Sequence, residues 1–177
     1  NTIGKIACGI DDTPVTTTVS SAIGAGIPII VVPAMHRSLY DHPVVKENLK
    51  RLSEIGVTVI APRMEEAKAK IPSNETILEH VLRVLGPNDM KGVRAVVTAG
   101  PTRGWIDRVR FVTNPSSGKM GIEIAREMAL RGGDVTLILG PTCQEPPTTV
   151  NTVRVDTPDE MLAATDEAIR KTDARLF

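Results

Sequence analysis

Asn114-Pro115-Ser116-Ser117-Gly118-Lys119 stands just ahead of a stretch with helical character. A helix start leaves backbone N–H groups unpaired and carries the positive end of the dipole, and both favour a phosphate. The segment looks like the end of a P-loop. That motif needs a glycine five residues before Gly118, and Thr113 stands there instead. The plainer alternative is a serine-capped helix beside a flexible loop, and spacing alone does not separate the two. A second candidate is Ala99-Gly100-Pro101-Thr102-Arg103-Gly104, which follows an apolar run. An open α/β sheet places its ligand loop at such a strand end. The loop is not GxGxxG, so a nicotinamide-dinucleotide fingerprint is not met. Asp107, Arg108 and Arg110 read most simply as solvated charges.

Pro33-Ala34-Met35-His36 also ends an apolar run. It is either a ligand loop with His36 as polar contact or a surface turn with an uninvolved histidine. Asn1-Thr2 is an anion-gripping turn or the start of a helix, and Thr16-Thr17-Thr18 a polar helical stretch.

The elements that must position these residues alternate. Residues 27–33, 57–60, 93–98 and 134–139 are short apolar runs bounded by glycine, proline or polar residues, as buried strands of parallel sheets are. Val44 to Ile55 has helical spacing, and Gly56 closes it. Ser73 or Asn74 caps a helix to Leu85, with Ile77, Leu78, Val81, Leu82 and Leu85 on one stripe. A helix from about Gly118 to Leu130 and one opening at Thr157-Pro158-Asp159-Glu160 complete the pattern, with a short strand at 153–155 between them. Pro62 to Pro72 reads as a charged loop, and Gly86-Pro87-Asn88-Asp89 as the start of a linker extending to Gly92. The expected fold class is α/β: two Rossmann-like or flavodoxin-like parallel-sheet units, residues 1–86 and 87–177. Both are expected to be truncated, because the chain starts on Asn rather than Met and ends on what reads as a strand just beginning.

Composition narrows the function. The chain has 177 residues, with 21 basic and 21 acidic side chains in balance. Zero net charge argues against a general nucleic-acid binder. Aromatic residues are 2%, too few for base-stacking platforms. Cys8 and Cys143 lie far apart, and His36, His42 and His80 show no HExxH spacing, so no metal site is expected. No apolar run has transmembrane length, no signal peptide opens the chain, and a cytoplasmic location is expected.

Val97-Thr98-Ala99-Gly100-Pro101-Thr102-Arg103, then Ile106-Asp107, Val109-Arg110-Phe111, Asn114 and Ser116-Ser117-Gly118-Lys119-Met120-Gly121 closely resemble the phosphopantothenate–cysteine ligase domain. Asn1-Thr2-Ile3-Gly4-Lys5-Ile6-Ala7, Gly9, Asp12 and Pro33-Ala34-Met35-His36 resemble the flavin-dependent phosphopantothenoylcysteine decarboxylase domain. The two in this order resemble the bifunctional decarboxylase–ligase family of coenzyme A biosynthesis, in its archaeal branch. The sequence departs from the family twice. His36 stands where the family usually has Asn, and the segment 62–70 lacks the Cys that many members carry there.

The resemblance implies two reactions, a CTP-dependent ligation of 4′-phosphopantothenate with cysteine and an FMN-dependent decarboxylation of the product to 4′-phosphopantetheine. It implies FMN near Asn1, Thr2, Ala34 and Met35, with His36 against the substrate carboxylate. It implies CTP, with Mg²⁺, along Gly100, Ser116, Ser117, Gly118 and Gly121, with Asn114 acting on the activated acyl group. Trimeric association of flavin domains and dimerisation of ligase domains are implied as well. The family's decarboxylase histidine would precede Asn1 and its ligase lysine would follow Phe177, so the 177 residues alone are expected to be inactive. A phosphate- or nucleotide-binding module without turnover is the alternative.

Overall fold

The computed structural model describes residues 2–172 and 175–176, with side chains through Lys171. The chain divides into two compact units, residues 1–77 and 78–177.

In the first unit, helix α1 (Thr2–Ala7) and helix α2 (Pro14–Gly24) precede a two-residue strand, β1 (Ile30–Val31). A reciprocal cap starts α2. Thr13 Oγ1 accepts from the Thr16 amide, Thr16 Oγ1 accepts from the Thr13 amide, and Pro14 fills the first turn. Then come β2 (Met35–His36), the short α3 (Arg37–Tyr40), α4 (Pro43–Glu54) and β3 (Thr58–Val59). His42 caps α4, its Nδ1 accepting from the Val44 amide at 3.2 Å. Strands β1 and β3 pair in parallel, Ile30 opposite Thr58 and Val31 opposite Val59. Ile6, Ala7, Leu52 and Val57 form the core between the helices and this pair.

The run 27–33 is thus a shorter strand than its apolar composition suggests. Ile27 is 57% exposed and Ile30 and Val31 are half-buried, because the pair is covered on one side and β3 is the neighbour of β1.

The segment 62–72, expected as a loop, is a β-hairpin. Strands β4 (Arg63–Glu65) and β5 (Lys68–Lys70) pair antiparallel, and β5 also pairs with β2. An ion pair across the strands supports it, Glu65 accepting from Lys70 at 3.3 Å, and Glu65 also pairs along β4 with Arg63 at 2.9 Å. The two turn residues, Glu66 and Ala67, both have positive φ, +47° and +59°. That backbone usually calls for Asn-Gly, which is why the turn carries no sequence signal.

Helix α5 (Asn74–Leu85) follows, with Ser73 Oγ accepting from the Thr76 amide. The second unit then holds β6 (Arg94–Ala99), the hairpin β7 (Gly104–Trp105) and β8 (Phe111–Val112), α6 (Lys119–Leu130), β9 (Asp134–Leu139), β10 (Asn151–Arg154), α7 (Pro158–Thr172) and β11 (Arg175–Leu176). Its sheet is parallel, in the order β10-β9-β6-β11. Read as strands one to four in chain order, that is 3-2-1-4, the order of the first four strands of the doubly wound sheet. Val97, Ala99, Val135, Leu137 and Leu139 pack on Ile122, Ala125 and Ala129 of α6. Val96 and Ile138 are fully buried on the other face, where α7 lies against β6 and β9.

The stretch expected as a free linker is fastened to the second unit. The Met90 amide donates to the Arg131 carbonyl at 3.0 Å, and Asp89 pairs with the Arg131 guanidinium. That guanidinium holds the Asp89 carboxyl below its usual range. The stripe on α5 also departs from expectation. Leu78, Leu82 and Leu85 are 55, 46 and 70% exposed, while Glu79 and Arg83 on the polar side make the contacts with the unit.

Candidate functional site

The strand order reverses beside β6, so the sheet's crevice opens at the carboxyl end of that strand. A cleft of about 230 Å³ lies there. Gly100, Ser116, Ser117, Gly118 and Gly121 all line it, together with Lys119, Thr98 and Met161. The five residues expected to cradle a nucleotide are therefore brought together, although 15 positions separate Gly100 from Ser116.

The glycines are needed there because backbones touch. Gly100 leaves β6 with φ +81°, and Gly118, the N-cap of α6, has φ +75°. A Cβ on Gly118 would sit 3.1 Å from the Gly100 amide nitrogen, and one on Gly100 would sit 3.1 Å from the Gly140 carbonyl oxygen. At Gly121 a Cβ would stand 2.6 Å from the Ala99 Cβ. These are the three duties of the dinucleotide fingerprint: a tight turn, a close backbone approach, and helix–strand packing. The fingerprint is present in space, with residues 101–117 inserted between its first and second glycines.

No side chain caps α6, and the amide of Gly118 meets only Ser116 Oγ at 3.3 Å while that of Lys119 meets Ser117 Oγ at 3.4 Å. These long bonds leave the first turn able to turn its amides to an anion. A residue outside the sequence expectation shapes the loop. Thr142 Oγ1 donates to the Ser117 carbonyl at 2.7 Å and accepts from the Gln144 amide at 3.1 Å. A lone threonine in Gly140-Pro141-Thr142 gives no sequence signal of this.

Asn114 lies on the exposed loop between β8 and α6, outside the lining of the cleft. Its backbone is held through its neighbour, Thr113 Oγ1, which donates to the Thr102 carbonyl at 2.8 Å. No side-chain bond of Asn114 to another described residue caps the helix, so the capping alternative has no support here. The preceding hairpin carries Asp107 and Arg110. Asp107 accepts from the Val109 and Arg110 amides and from the Arg110 guanidinium at 2.6 Å. Those bonds, the Arg110 amide foremost, hold its carboxyl below the usual range. These two charges are solvent-exposed, as expected, and pair with one another at the hairpin tip.

In the first unit Thr2 is exposed in the first turn of α1. Ala34 is exposed, Met35 half-buried, and His36 exposed on β2. Met35 faces Ala69 in the sheet register and His36 faces Lys68, so the hairpin β4–β5 lies alongside the Pro33–His36 loop. The Arg37 amide donates to the Ala67 carbonyl at 3.0 Å and ties the hairpin turn to α3. Asn1 lies outside the described residues. An open cleft of about 850 Å³ in this unit is lined by Asp11, Thr13, Thr17 and Ala25, among others, and by none of Thr2, Ala34, Met35 or His36.

Two family descriptions match this chain. "Flavoprotein" matches residues 1–86, and "DNA/pantothenate metabolism flavoprotein C-terminal domain" matches residues 90–177. A Thermococcus kodakarensis "Coenzyme A biosynthesis bifunctional protein CoaBC" is 52% identical over 96% of this chain and 42% of its own length. The chain belongs to the coenzyme A biosynthesis flavoprotein family. A "Cysteine/Cysteine sulfinic acid decarboxylase" from an unknown prokaryotic organism is 36% identical over 100% of this chain and 52% of its own length. Among solved structures, the C-terminal domain of a coenzyme A biosynthesis bifunctional protein CoaBC is 46% identical, with a TM-score of 0.47, over 48% of this chain and 43% of that one. The chain spans about half the length of the curated relatives it matches.

The described residues of this family member fit an anion at the α6 cleft, through the Gly118 turn and the Lys119 side chain beside it. They do not fit a resident metal. No group of three or more His, Cys, Asp or Glu among the described residues could hold one, and the lining of the cleft carries no carboxylate. No helix among the described residues is long and apolar enough to cross a membrane.

Proposed function

We propose that this chain is the junction of a bifunctional coenzyme A biosynthesis enzyme. Residues 1–86 belong to an FMN-dependent decarboxylase domain, and residues 87–177 to a CTP-dependent phosphopantothenate–cysteine ligase domain. The observation that carries the ligase assignment is the convergence of Gly100, Ser116, Ser117, Gly118 and Gly121 on one cleft at the carboxyl end of β6. The match of residues 1–86 to the flavoprotein description supports FMN and the decarboxylase.

The chemistry asked of the cleft follows from the substrate. A carboxylate is a poor electrophile. Its oxygen attacks the α-phosphorus of CTP, pyrophosphate leaves, and the acyl group acquires a leaving group. The cysteine amine then attacks the acyl carbon and CMP departs. The α6 turn and Lys119 hold the triphosphate, and Asn114 donates to the acyl oxygen as charge builds there. Any Mg²⁺ arrives with the triphosphate, since this cleft offers no carboxylate for it. FMN would be the redox group of the decarboxylase half, and Thr2, Ala34 and Met35 would supply part of its surroundings. His36 donates a hydrogen bond to the substrate carboxylate in place of the family's Asn.

The test uses the full-length protein. CTP-dependent pyrophosphate release that requires 4′-phosphopantothenate, and bound yellow flavin, are the expected results. Nucleotide binding without pyrophosphate release would favour a phosphate-binding module without turnover.

A further inference from the structure

Asp156, in the turn between β10 and α7, makes bonds that neither the fold nor the proposed chemistry requires. Its Oδ1 accepts from Arg103 Nη1 at 3.1 Å, and its Oδ2 accepts from Trp105 Nε1 at 2.8 Å. Its carbonyl accepts from the Arg103 amide at 2.8 Å. Its own amide donates to Glu160 Oε2 at 2.7 Å, which locks the turn to the first turn of α7. One carboxylate thus bolts both residues that lead into the β7–β8 hairpin onto the end of the sheet. The Arg103 guanidinium sits 5.1 Å from the centre of the Phe111 ring, and Trp105 meets that ring edge-on at 4.9 Å. The two strands of the hairpin are therefore braced against one another above the bolt.

The returning strand, Phe111–Val112, leads through Thr113 into Asn114, with Thr113 Oγ1 on the Thr102 carbonyl at 2.8 Å. The entry strand is fixed by Asp156 and the exit strand by Thr102. We propose that Asp156 is a positioning residue for acyl transfer: it sets the pose of hairpin 104–112 and, through it, the place of Asn114. The inference rests on the reading of Asn114 as the donor to the acyl group. The interaction is a paired, half-exposed one, with the Arg103 and Asp156 side chains 38 and 36% exposed. Its stabilising effect is accordingly small and its effect on geometry is the larger one.

Trp105 is the only tryptophan of the 177 residues, so its fluorescence reports the bolt directly. In this chain, Asp156→Ala and the isosteric Asp156→Asn are each expected to shift the Trp105 emission maximum. In the full-length protein, both variants should still release pyrophosphate on activation. Passage of the acyl-cytidylate to cysteine should slow, by up to roughly a hundredfold for a displacement near 1 Å. Asp156→Asn keeps one acceptor oxygen and should lie between wild type and Asp156→Ala. A purely structural role would lower both half-reactions together. Trp105→Phe keeps the ring packing and removes one donor. It gives the same kinetic split if Asp156→Ala does not fold.

Unchanged emission in both Asp156 variants overturns the proposal, because the bolt is then not made in solution. Shifted emission with normal acyl transfer, in a protein where Asn114→Asp blocks that transfer, overturns it while leaving the ligase site intact. Normal turnover of Asn114→Asp overturns the reading of the site itself.

Discussion

Asn114 and Thr142 act on the same loop in different ways, and their substitutions separate chemistry from shape. Asn114 makes no side-chain bond that capping would require, so Asn114→Asp is expected to melt like wild type. In the full-length protein it should form the acyl-cytidylate and pass it poorly to cysteine, roughly a hundred- to a thousandfold more slowly, the usual effect of losing one oxyanion donor. Rapid-quench measurement of the intermediate checks this. Thr142 touches no expected substrate atom. Thr142→Val removes the hydroxyl that holds the Ser117 carbonyl at 2.7 Å. A neutral hydrogen bond is worth about 0.5–1.5 kcal/mol net. CTP affinity should fall a few- to about tenfold, measured by calorimetry, with the acyl-transfer step unchanged. The glycines show why the fingerprint was hard to read. Gly118 and Gly121 keep the spacing of its last two positions, but the first, Gly100, is 18 residues from Gly118. A linear pattern fails where a spatial one succeeds. A valine at Gly118 would lose the left-handed turn and strike the Gly100 backbone, so it tests loop packing as much as phosphate binding.

Among the elements, β6 and β9 were plain in the sequence because each carries a mostly apolar, mostly buried run, Ala95–Val97 with Ala99 and Val135 with Leu137–Leu139. The hairpins at 63–70 and 104–112 were not. Their strands are two or three residues long and mostly exposed, those of the first rich in charge, so neither alternation nor a continuous apolar run marks them. The first also turns on Glu66-Ala67, residues that normally avoid positive φ. That conformation costs roughly 1–2 kcal/mol per ordinary L residue. Replacing the pair together, Glu66→Asn with Ala67→Gly, should therefore stabilise the hairpin. Amide exchange at Glu65 and Lys68, the pair that closes the turn, should slow, and the exchange rate of the helical amides of α6 should not change. Faster exchange at Lys68 would mean that the turn is not of this type. Because β5 is also the partner of β2, the same change should hold Met35 and His36 more firmly. Helix α5 was legible as a helix but not in its orientation. Its leucines suggest an inward stripe, whereas ion pairs and carbonyl bonds from Glu79 and Arg83 fix the opposite side.

At the scale of the whole chain, the family matches meet between residues 86 and 90, while the compact units divide at 77 and 78. The difference is α5, and its chemistry makes two predictions. Burial holds the His80 imidazole below its usual pKa, with Glu79 opposing and Arg83 adding to the shift. The folded unit therefore resists a proton that the unfolded chain accepts near pH 6.5. Stability should be full above about pH 6.5 and should fall as acid is added through the lowered folded value. Melting between about pH 8 and 5.5, above the carboxylate range, should show this slope, and His80→Gln should flatten it. The second prediction concerns where the second unit begins. Arg83 donates to the Thr149 carbonyl at 3.0 Å and to the Gly133 carbonyl at 3.4 Å. Glu79 pairs with Arg126 at 3.2 Å and accepts from Thr148. Gly86 packs so closely that a Cβ there would stand 2.5 Å from the Leu130 carbonyl oxygen. A chain starting at Ser73 keeps all of these contacts, and one starting at Pro87 loses them. Hydrogen bonds to charged groups are worth about 1.5–3 kcal/mol each, and 1 kcal/mol moves the melting point of a domain this size by roughly 4–8 °C. The shorter chain should therefore melt at least roughly 10 °C lower, and Arg83→Met in the whole chain should lower the same transition by part of that amount. Equal melting points for the two starts would place α5 with the first unit, and the division at residue 77 would be wrong.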